Sequence, residues 1–346
     1  FGTLDVRLKA LAALHAAGLN AIPVLKEFLA DRDPLVRETA ADALLAAGGI
    51  RAIPVLKEHL ALEKDKDVIF SILNGLGKVR NRAGMDILVS YLANPNEDLV
   101  VAALNSIAKL RSATVHADVA RSLADPRWRV RAAALDAVAA LKLNNLDSAV
   151  TELLMDKDAF VRFSAVKTLT AISAKKAAPK LEEAFLREDE LKGAVVAAYG
   201  RMDMALPASF GKAMDGKGPD VVLSVIEALK DCNEKDLKLA ERFLDDENPD
   251  IACAAVRLIA TKGMKNPKHR ARIIAGVRSG KREVVLAALE SIRIDDRDAL
   301  MKGLLQATAA GVPAEALTSS MADSTLDALI GAFAAAVSDS GFTPFV

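Results

Sequence analysis

Residue types that usually build catalytic and metal-binding sites are scarce in this chain. Its 346 residues include four histidines, scattered along the sequence, and two cysteines. Cys232 and Cys253 lie in different predicted helices and share no metal-ligand or redox spacing, so we expect small buried thiols. Neither a Gly-x-Ser-x-Gly elbow nor a phosphate-binding glycine-rich loop occurs. The sequence therefore predicts no metal, no cofactor and no enzyme activity.

Net charge and long apolar runs are absent as well. Lysine and arginine total 46, and aspartate and glutamate total 46, so no overall field attracts nucleic acid or an anionic membrane. No uninterrupted apolar run approaches the about 18–20 residues of a membrane span. Nothing requires an oxidising compartment, and we expect a cytoplasmic location. The chain opens at Phe1 in the second half of a repeat, so we expect residues upstream, with a removed signal peptide among the alternatives.

What the chain has in abundance is helix-forming apolar residues in a repeating pattern. Apolar residues make up 52% of it and aromatic residues 4%, with alanine and leucine predominating. From Asp31 to Leu44, carboxylates and a proline suit a helix start, and an apolar helical face follows. We call Val36 the lead position of this face and count later positions from it. The pattern recurs every 30 to 33 residues, with lead positions at Val6, Val36, Val68, Leu99, Val130, Val161, Leu191, Val221, Ile251 and Val284.

A second helix follows each lead helix and completes a two-helix repeat. Prolines mark several of its starts, at Pro23, Pro54, Pro179 and Pro207. Two short helices per about 31 residues bury their apolar faces only against neighbouring repeats. We therefore predict an all-α fold, a right-handed α-solenoid (superhelix) of about ten two-helix repeats over residues 1–305, with the first repeat incomplete.

Two segments resemble a known family. DPLVRETAADAL from Asp33 and DPRWRVRAAAL from Asp125 are similar to the short bacterial HEAT-like repeats, the type also found in phycobilin lyases. The resemblance covers residues 1–305 and implies the solenoid fold, but such repeats serve many unrelated roles. It also implies that the arginine after the lead residue pairs with aspartate or asparagine in an adjacent turn, at Arg37, Arg131 and Arg162. Five corresponding positions lack the arginine: Ile69, Val100, Val222, Ala252 and Val285. We therefore expect that the apolar residues at equivalent positions of the repeats provide most of the stability of the stack.

Residues 306–346 depart from the repeat. They contain no lysine or arginine, and an apolar helical face accompanies a capping-box pattern at Ser324 and Asp327. Because a solenoid end exposes an apolar layer, we predict a C-terminal capping helix and tail over residues 306–346. The alternative is a linker with a helix that docks a partner.

The candidate binding site is the wall formed by the lead helices, which in this repeat family usually lines the inside of the arc. Its plus-two column is mostly apolar and its plus-six column mostly polar, which is typical of a groove for an extended peptide or a helix. Phe70 and Phe163 would be the anchors. The alternative is that plus-two residues pack against the neighbouring repeat. We predict partner binding by seven residues of this concave face: Phe70, Asn74, Val101, Asn105, Asp136, Phe163 and Lys167.

Two other features are candidate contact sites. Trp128, the only tryptophan, precedes a predicted helix and is either a binding hot spot or a cover for an adjacent helix end. Residues 257–282 carry nine bases and no acid, and either attract the acidic stretch 231–250 or bind an acidic protein or nucleic-acid backbone. No aromatic lies there to stack on bases. The candidate anion-binding residues are Arg257, Lys262, Lys265, Lys268, Arg270 and Arg272.

The function that this sequence favours is a non-enzymatic scaffold that binds a protein, peptide or helix along the concave face. Nucleic-acid or other polyanion binding through residues 257–282 is the first alternative, although the plus-six column carries four acids against Lys167 and Arg257. A bilin-lyase-like or chaperone role is the second alternative and is implied by the resemblance alone. HEAT-like metalloenzymes of the deoxyhypusine hydroxylase type carry His-Glu pairs, and none occurs here.

Overall fold

The computed structural model describes residues 2–16, 18–79, 81–111, 113–263, 268 and 287. This part of the chain is helical without strands, which confirms the predicted all-α solenoid class. Its α-helices are α1 (Leu4–Ala16), α2 (Ile22–Phe28), α3 (Pro34–Gly48), α4 (Ile53–Leu60), α5 (Lys66–Val79), α6 (Met85–Ser90), α7 (Glu97–Leu110), α8 (His116–Leu123), α9 (Trp128–Leu141), α10 (Asp147–Glu152), α11 (Ala159–Ala171), α12 (Ala178–Arg187), α13 (Lys192–Arg201), α14 (Ser209–Ala213), α15 (Pro219–Ala228), α16 (Lys238–Glu241) and α17 (Pro249–Gly263). The tenth lead position and the predicted capping helix and tail at 306–346 lie outside the described residues.

Odd-numbered helices are the lead helices, and even-numbered helices are the second helices of the repeats. The chain forms two compact units, residues 1–180 and 181–346. In the first unit, α1, α3, α5, α7, α9 and α11 lie side by side in chain order, and in the second unit α13, α15 and α17 do so. Each repeat therefore packs on the next, as the repeating apolar pattern predicts.

The cores contain the apolar columns that the sequence shows. Every described lead residue except Val6 and Val221 is buried, and the residues at plus four and plus eight, such as Ala40 and Leu44, are buried with them. The second helices contribute Leu25, Leu56, Leu88, Val119 and Val150, all without exposed surface. Burying a leucine or valine side chain contributes about 1.5–3 kcal/mol.

Glycines allow two pairs of lead helices to approach closely. A Cβ added at Gly77 of α5 would lie 2.8 Å from the Cβ of Ser106 on α7. One added at Gly200 of α13 would lie 2.5 Å from the backbone carbonyl of Asp231, after α15. Both distances are shorter than non-bonded carbon atoms tolerate, so a larger residue must displace the neighbouring segment.

Several lead helices end with a residue in the left-handed conformation. The positions are twelve residues after the lead position and are not glycine: Arg111 (φ 51°), Lys142 (φ 53°), Ser173 (φ 54°) and Asp203 (φ 52°). After α3 the residue with a positive φ is a glycine, Gly49 (φ 51°). A positive φ after the lead helix therefore recurs in successive repeats, although the residue at that position differs from one repeat to the next.

The N-termini of the lead helices are capped by pairs of carboxylate or carboxamide side chains. Before α3, the Asp31 carboxylate accepts a hydrogen bond from the Asp33 amide (2.9 Å), and the Asp33 carboxylate accepts one from the Leu35 amide (3.0 Å). Such bonds satisfy amides that a helix start leaves without an acceptor. The same arrangement precedes other lead helices, at Glu63 and Asp65, Asn94 and Asn96, Asp156 and Asp158, and Asp246 and Asn248.

An arginine after the lead residue joins two successive turns. Arg37 donates to the backbone carbonyls of Asp31 (3.0 Å) and Arg32 (3.3 Å) in the preceding turn. It also donates to both carboxylate oxygens of Glu63 (2.7 and 2.9 Å) in the following turn. We call this arrangement an arginine clamp. It repeats at Arg131, which binds Asp125, Pro126 and Asp156 in the same way.

The clamps extend further than the resemblance implied. The partner of Arg37 is a glutamate rather than aspartate or asparagine, and Arg7 also forms a pair, with Asp31 (2.7 Å). Where Val100 replaces the arginine, Arg127 supplies the guanidinium from another position. It donates to the carbonyls of Asn94 and Pro95 (3.2 Å each) and to the Asp125 carboxylate (2.8 Å).

At the junction of α5 and α7, both the arginine and the acid of the clamp are missing. Ile69 stands at the arginine position of α5, and the residue in the acidic position of the following turn is the uncharged Asn94. Because neither charge is present, no buried ion is left without a partner. The series of arginine clamps is therefore interrupted at Ile69, as the sequence predicted. At Val100 it is not, because Arg127 forms the clamp instead.

Lysine takes the clamp position in the second unit. Lys192 is fully buried, and its Nζ donates to the Phe185 carbonyl, lies 4.4 Å from the Phe185 ring centroid and 3.4 Å from Asp189. Burial lowers its pKa, and Asp189 opposes that effect. The Phe185 ring stacks on Phe210 at 3.7 Å between centroids, so the ammonium lies against a stacked aromatic pair.

A histidine adjoins the first clamp and was not singled out in the sequence. His59 precedes Glu63 by four residues, and its Nε2 lies 3.0 Å from a Glu63 oxygen. Burial lowers the pKa of His59. For Glu63, burial alone would raise the pKa, but hydrogen bonds from Arg37 and from the amides of Asp65 and Lys64 lower it to about 2.

One stretch, Pro34–Leu60, has the length and mean hydropathy (1.4) of a membrane span. It comprises α3 and α4, which meet at the left-handed Gly49. Helices of 15 and 8 residues are each shorter than the about 20 residues that span a bilayer. We interpret them as the two helices of one repeat.

The clamp predicts how stability depends on pH. The carboxylate of Glu63 stabilises the fold above pH 4.5, and this contribution is lost as the pH falls towards 2. Glu63→Gln should lower the free energy of unfolding at pH 7 by about 1.5–3 kcal/mol, because Arg37 loses its charged partner. The difference between the two proteins should shrink between pH 4.5 and pH 2, as followed by urea unfolding.

The matched control for this prediction is Glu58→Gln. Glu58 pairs with Lys26 at 3.0 Å on the exposed surface of the same unit, where an ion pair contributes about 0–1 kcal/mol. Equal losses in the two variants would show that Glu63 acts as an ordinary surface charge.

The close approach at Gly200 predicts a second stability effect. Gly200→Ala should lower the free energy of unfolding by about 1–3 kcal/mol, because its Cβ meets backbone rather than a flexible side chain. Gly218→Ala is the control, since nothing lies within 4 Å of a Cβ there and its φ is −64°. Thermal unfolding of both variants measures the difference, and an equal drop in Gly218→Ala would show that the loss at Gly200 does not come from the close contact.

Candidate functional site

The seven predicted partner-binding residues lie on four consecutive lead helices of the first unit. They belong to α5, α7, α9 and α11, each of which contacts the next. Because side chains four residues apart share a helix face, the plus-two and plus-six residues form two parallel rows. We call these residues together with Asp42 of α3 the lead-helix surface: Asp42, Phe70, Asn74, Val101, Asn105, Asp136, Phe163 and Lys167.

The plus-two row is exposed at two positions and packed between them. Phe70 and Phe163 are 43% and 42% exposed, which is unusual for phenylalanine. Val101 is half-buried and Ala132 is buried. Each sequence interpretation of this row therefore holds for part of it. The surface is therefore recessed at Val101 and Ala132, with an exposed phenylalanine on either side.

The plus-six row is polar and open to solvent. Asp42, Asn105, Asp136 and Lys167 are exposed, and Asn74 is half-buried. The Ser71 hydroxyl donates to Asp42 (3.3 Å). The Asn74 and Asn105 carboxamides have no hydrogen bond to any residue in the described part of the chain. Two donor-acceptor groups on adjacent helices are thus available to a ligand.

Two charges lie at one end of the surface. Burial beside the neighbouring helices raises the pKa of the Asp136 carboxyl even though its edge is exposed, and Lys167 opposes that shift. The Lys167 ammonium also lies 6.0 Å from the Phe163 ring centroid. The row therefore runs from Asp42 through two neutral amides to a carboxyl group and an ammonium group.

Trp128 lies at the start of α9 against Phe160 at the start of α11. Their rings meet edge to face at 5.7 Å, and they are 42% and 58% exposed. Trp128 therefore covers an adjacent helix start, as one interpretation predicted, and is still accessible. Phe160 was not recognised from the sequence, although its place directly before a lead residue marks it as lying off the buried face.

A groove continues the surface towards α1. It has a volume of about 600 Å³ and is lined by Ala12, Asp42, Gly75, Lys78 and neighbouring residues of α1, α3 and α5. A second groove, of about 480 Å³, lies at α2 and α4 and contains the cluster of Arg37, His59 and Glu63. Only the first includes a residue of the lead-helix surface.

The basic stretch is described at three of its six candidate residues. Lys262 is already engaged, because its Nζ donates to the backbone carbonyls of Leu229 (3.5 Å), Lys230 and Cys232 (2.9 Å). It thus binds carbonyl oxygens at the end of α15 rather than the side chains of the acidic stretch. Arg257 and Lys268 are exposed. Lys265, Arg270 and Arg272 lie outside the described residues.

Neither cysteine has the surroundings of a nucleophile. Burial raises the pKa of Cys232 to about 12, and its thiol donates to the Val196 carbonyl (3.4 Å). Cys253 is also buried. Across the described ranges, no three His, Cys, Asp or Glu side chains group together as metal ligands do.

The exposure of Phe163 predicts that it can be removed at little cost to folding. Phe163→Ala should change the free energy of unfolding by less than about 1 kcal/mol, because much of its ring is already in water. Phe185→Ala, in the buried cluster of the second unit, should cost about 3–5 kcal/mol. Urea unfolding followed by circular dichroism compares them. A large loss in Phe163→Ala would identify it as a packing residue.

Comparison with known proteins identifies the repeat. The HEAT repeat profile matches residues 4–74 and 119–200, which cover most of the first unit and the start of the second. No curated protein sequence matches this chain.

Structures of Kap121p have a similar fold. A mutant of Kap121p is 14% identical, with a TM-score of 0.60 over 96% of this chain and 44% of that one. Kap121p bound to Nup53p is 14% identical, with a TM-score of 0.58 over 96% and 43%. This chain thus spans less than half of Kap121p. The CpcE and CpcF complex of phycocyanin lyase from Nostoc sp. PCC7120 is 16% identical, with a TM-score of 0.40 over 73% and 92%. Similarities at these identities concern the fold, and residues 4–74 and 119–200 of this chain are HEAT repeats.

Proposed function

We propose that this protein is a non-enzymatic scaffold that binds a protein partner along the lead-helix surface. The observation that carries the proposal is the pair of exposed phenylalanines, Phe70 and Phe163, in a row whose intervening residues are packed. Exposed aromatic side chains beside polar groups are the usual anchors of protein interfaces. A stack of repeats presents them already in place, so little ordering cost accompanies binding.

The structural neighbours support a protein partner in general terms. Structures of Kap121p include complexes with Nup53p and with Pho4p, so this fold binds other proteins in at least one relative in structure. The partner of the present chain has to be found from its own surface.

The alternatives have less support. Nucleic-acid binding would depend on residues 257–282, where Lys262 is occupied by carbonyl groups. The plus-six row adds Asp42 and Asp136, which repel phosphates. A bilin-lyase-like role has no residue of this chain in its favour. Retention on heparin that vanishes at moderate salt would revive the first alternative, and transfer of a bilin the second.

The test is a comparison of binding by matched double variants. Proteins retained by the wild type from a lysate of its own organism are identified by mass spectrometry and purified. Phe70→Ala/Phe163→Ala should weaken binding of the true partner by at least about 2 kcal/mol. This corresponds to a roughly 30-fold higher dissociation constant, which calorimetry measures. The loss follows from removing both anchors without disturbing the core.

The control is Ile50→Ala/Leu62→Ala. These residues are 52% and 81% exposed, in the turn after α3 and after α4, away from the lead-helix surface. It should bind as the wild type does. A partner that binds both double variants equally well would contradict the proposal and direct attention to Trp128 and Phe160.

A further inference from the structure

The spacing of the plus-six row restricts the conformation of what it binds. Neighbouring packed helices are about 8–10 Å apart, so consecutive plus-six side chains repeat at about this distance. A polyproline II segment completes a turn in three residues and about 9.3 Å. Every third residue of such a segment would therefore meet successive lead helices in the same orientation.

Regular alternatives fit the row less well. An α-helix crossing the lead helices advances about six residues between neighbours, which turns its next side chain about 120° away from the surface. A β-strand advances about three residues, and its side chains alternate in direction, so every second contact would face away. The polyproline II period is the one that matches.

The unpaired carboxamides suit the backbone of such a segment. A polyproline II segment has no internal hydrogen bonds, so its amides and carbonyls stay available. Asn74 and Asn105, on adjacent helices α5 and α7, each offer a donor and an acceptor and have no partner in the described part of the chain. They can bind main-chain groups about three residues apart without selecting side chains.

The charges on either side of the carboxamides select the side chains. In chain order the row is Asp42, Asn74, Asn105, Asp136 and Lys167, one residue per lead helix. With three residues per helix, Asp42 and Asp136 face ligand positions about nine residues apart, and Lys167 faces a position about three beyond Asp136. Opposite charges at these positions are favourable, and like charges are costly.

From this geometry we propose that the lead-helix surface binds an unfolded segment of another protein in polyproline II conformation. The segment carries basic residues at positions i and i+9 and an acidic residue at i+12, or the same order reversed. This inference rests on the proposed function and specifies the ligand of that same surface. Phe70 and Phe163 then contact apolar side chains beside positions i+3 and i+12.

The test begins with a random library of about 16-residue peptides displayed on phage and selected on the full chain. Enriched peptides are synthesised with a fluorescent label, and their binding is measured by anisotropy. We expect two basic residues about nine positions apart, and tighter binding when prolines are placed at positions that do not face the surface. Replacing the same positions with helix-promoting aminoisobutyrate should weaken binding.

Variants of the protein test the roles of the side chains. Asn74→Ala/Asn105→Ala should weaken peptide binding at least tenfold. Its matched control, Asn20→Ala/Asn145→Ala, removes two exposed asparagines from turns outside the surface and should change binding less than about twofold. Asp136→Lys should reverse the preference at i+9 from a basic to an acidic residue. Circular dichroism verifies that each variant folds.

The outcomes separate this inference from the proposed function. Peptides that need Phe70 and Phe163 but tolerate Asn74→Ala/Asn105→Ala, or that bind more tightly with aminoisobutyrate, overturn the inference and leave the surface as a binding site. A selection without enriched peptides also overturns the inference. Peptides that bind the Phe70→Ala/Phe163→Ala variant as tightly as the wild type contradict both the inference and the proposed function, because the ligand then binds elsewhere.

Discussion

The arginine clamp is the interaction on which the register of the stack depends. A single guanidinium, as at Arg37, holds backbone carbonyls of one turn and a carboxylate of the next, so it fixes the distance between successive helix starts. Hydrophobic burial has no direction and would tolerate sliding of one lead helix along another. Bidentate pairing between a guanidinium and a carboxylate does not. Within the lead-helix surface, Arg127 and Arg131 thus hold α7, α9 and α11 in register.

The division between core and surface follows from the same geometry. Plus-four and plus-eight residues are enclosed by the neighbouring repeats, so they have to be apolar and small enough to pack. Plus-two and plus-six residues lie outside this contact and are constrained only where two lead helices approach. Ala132 and Phe163 occupy equivalent positions and differ completely in exposure. Function can therefore change at these positions while the core stays constant.

The fold could be predicted from the sequence because its signal is repeated. One apolar face is ambiguous, but successive lead positions at nearly constant spacing are not, and Pro34 and Asp33 mark the start of α3 as expected. The clamps were predicted only in part, since Arg127 reaches the carbonyls of Asn94 and Pro95 from a position that no repeat column contains. The residues of the lead-helix surface lie on the lead helices, and their role in binding stays a prediction. Which residues of this surface are exposed and which are packed depends on contacts between side chains of neighbouring repeats. An alignment of the repeats does not show these contacts.

The uncharged junction at Ile69 and Asn94 has a consequence for the response of the protein to salt. There α5 and α7 pack closely without an arginine clamp, with Gly77 against Ser106. Salting-out ions such as sulfate strengthen apolar contacts and therefore tighten this junction. The same ions screen the largely buried pairs at the clamped junctions only weakly. The response of the first unit to salt therefore differs from one junction to the next.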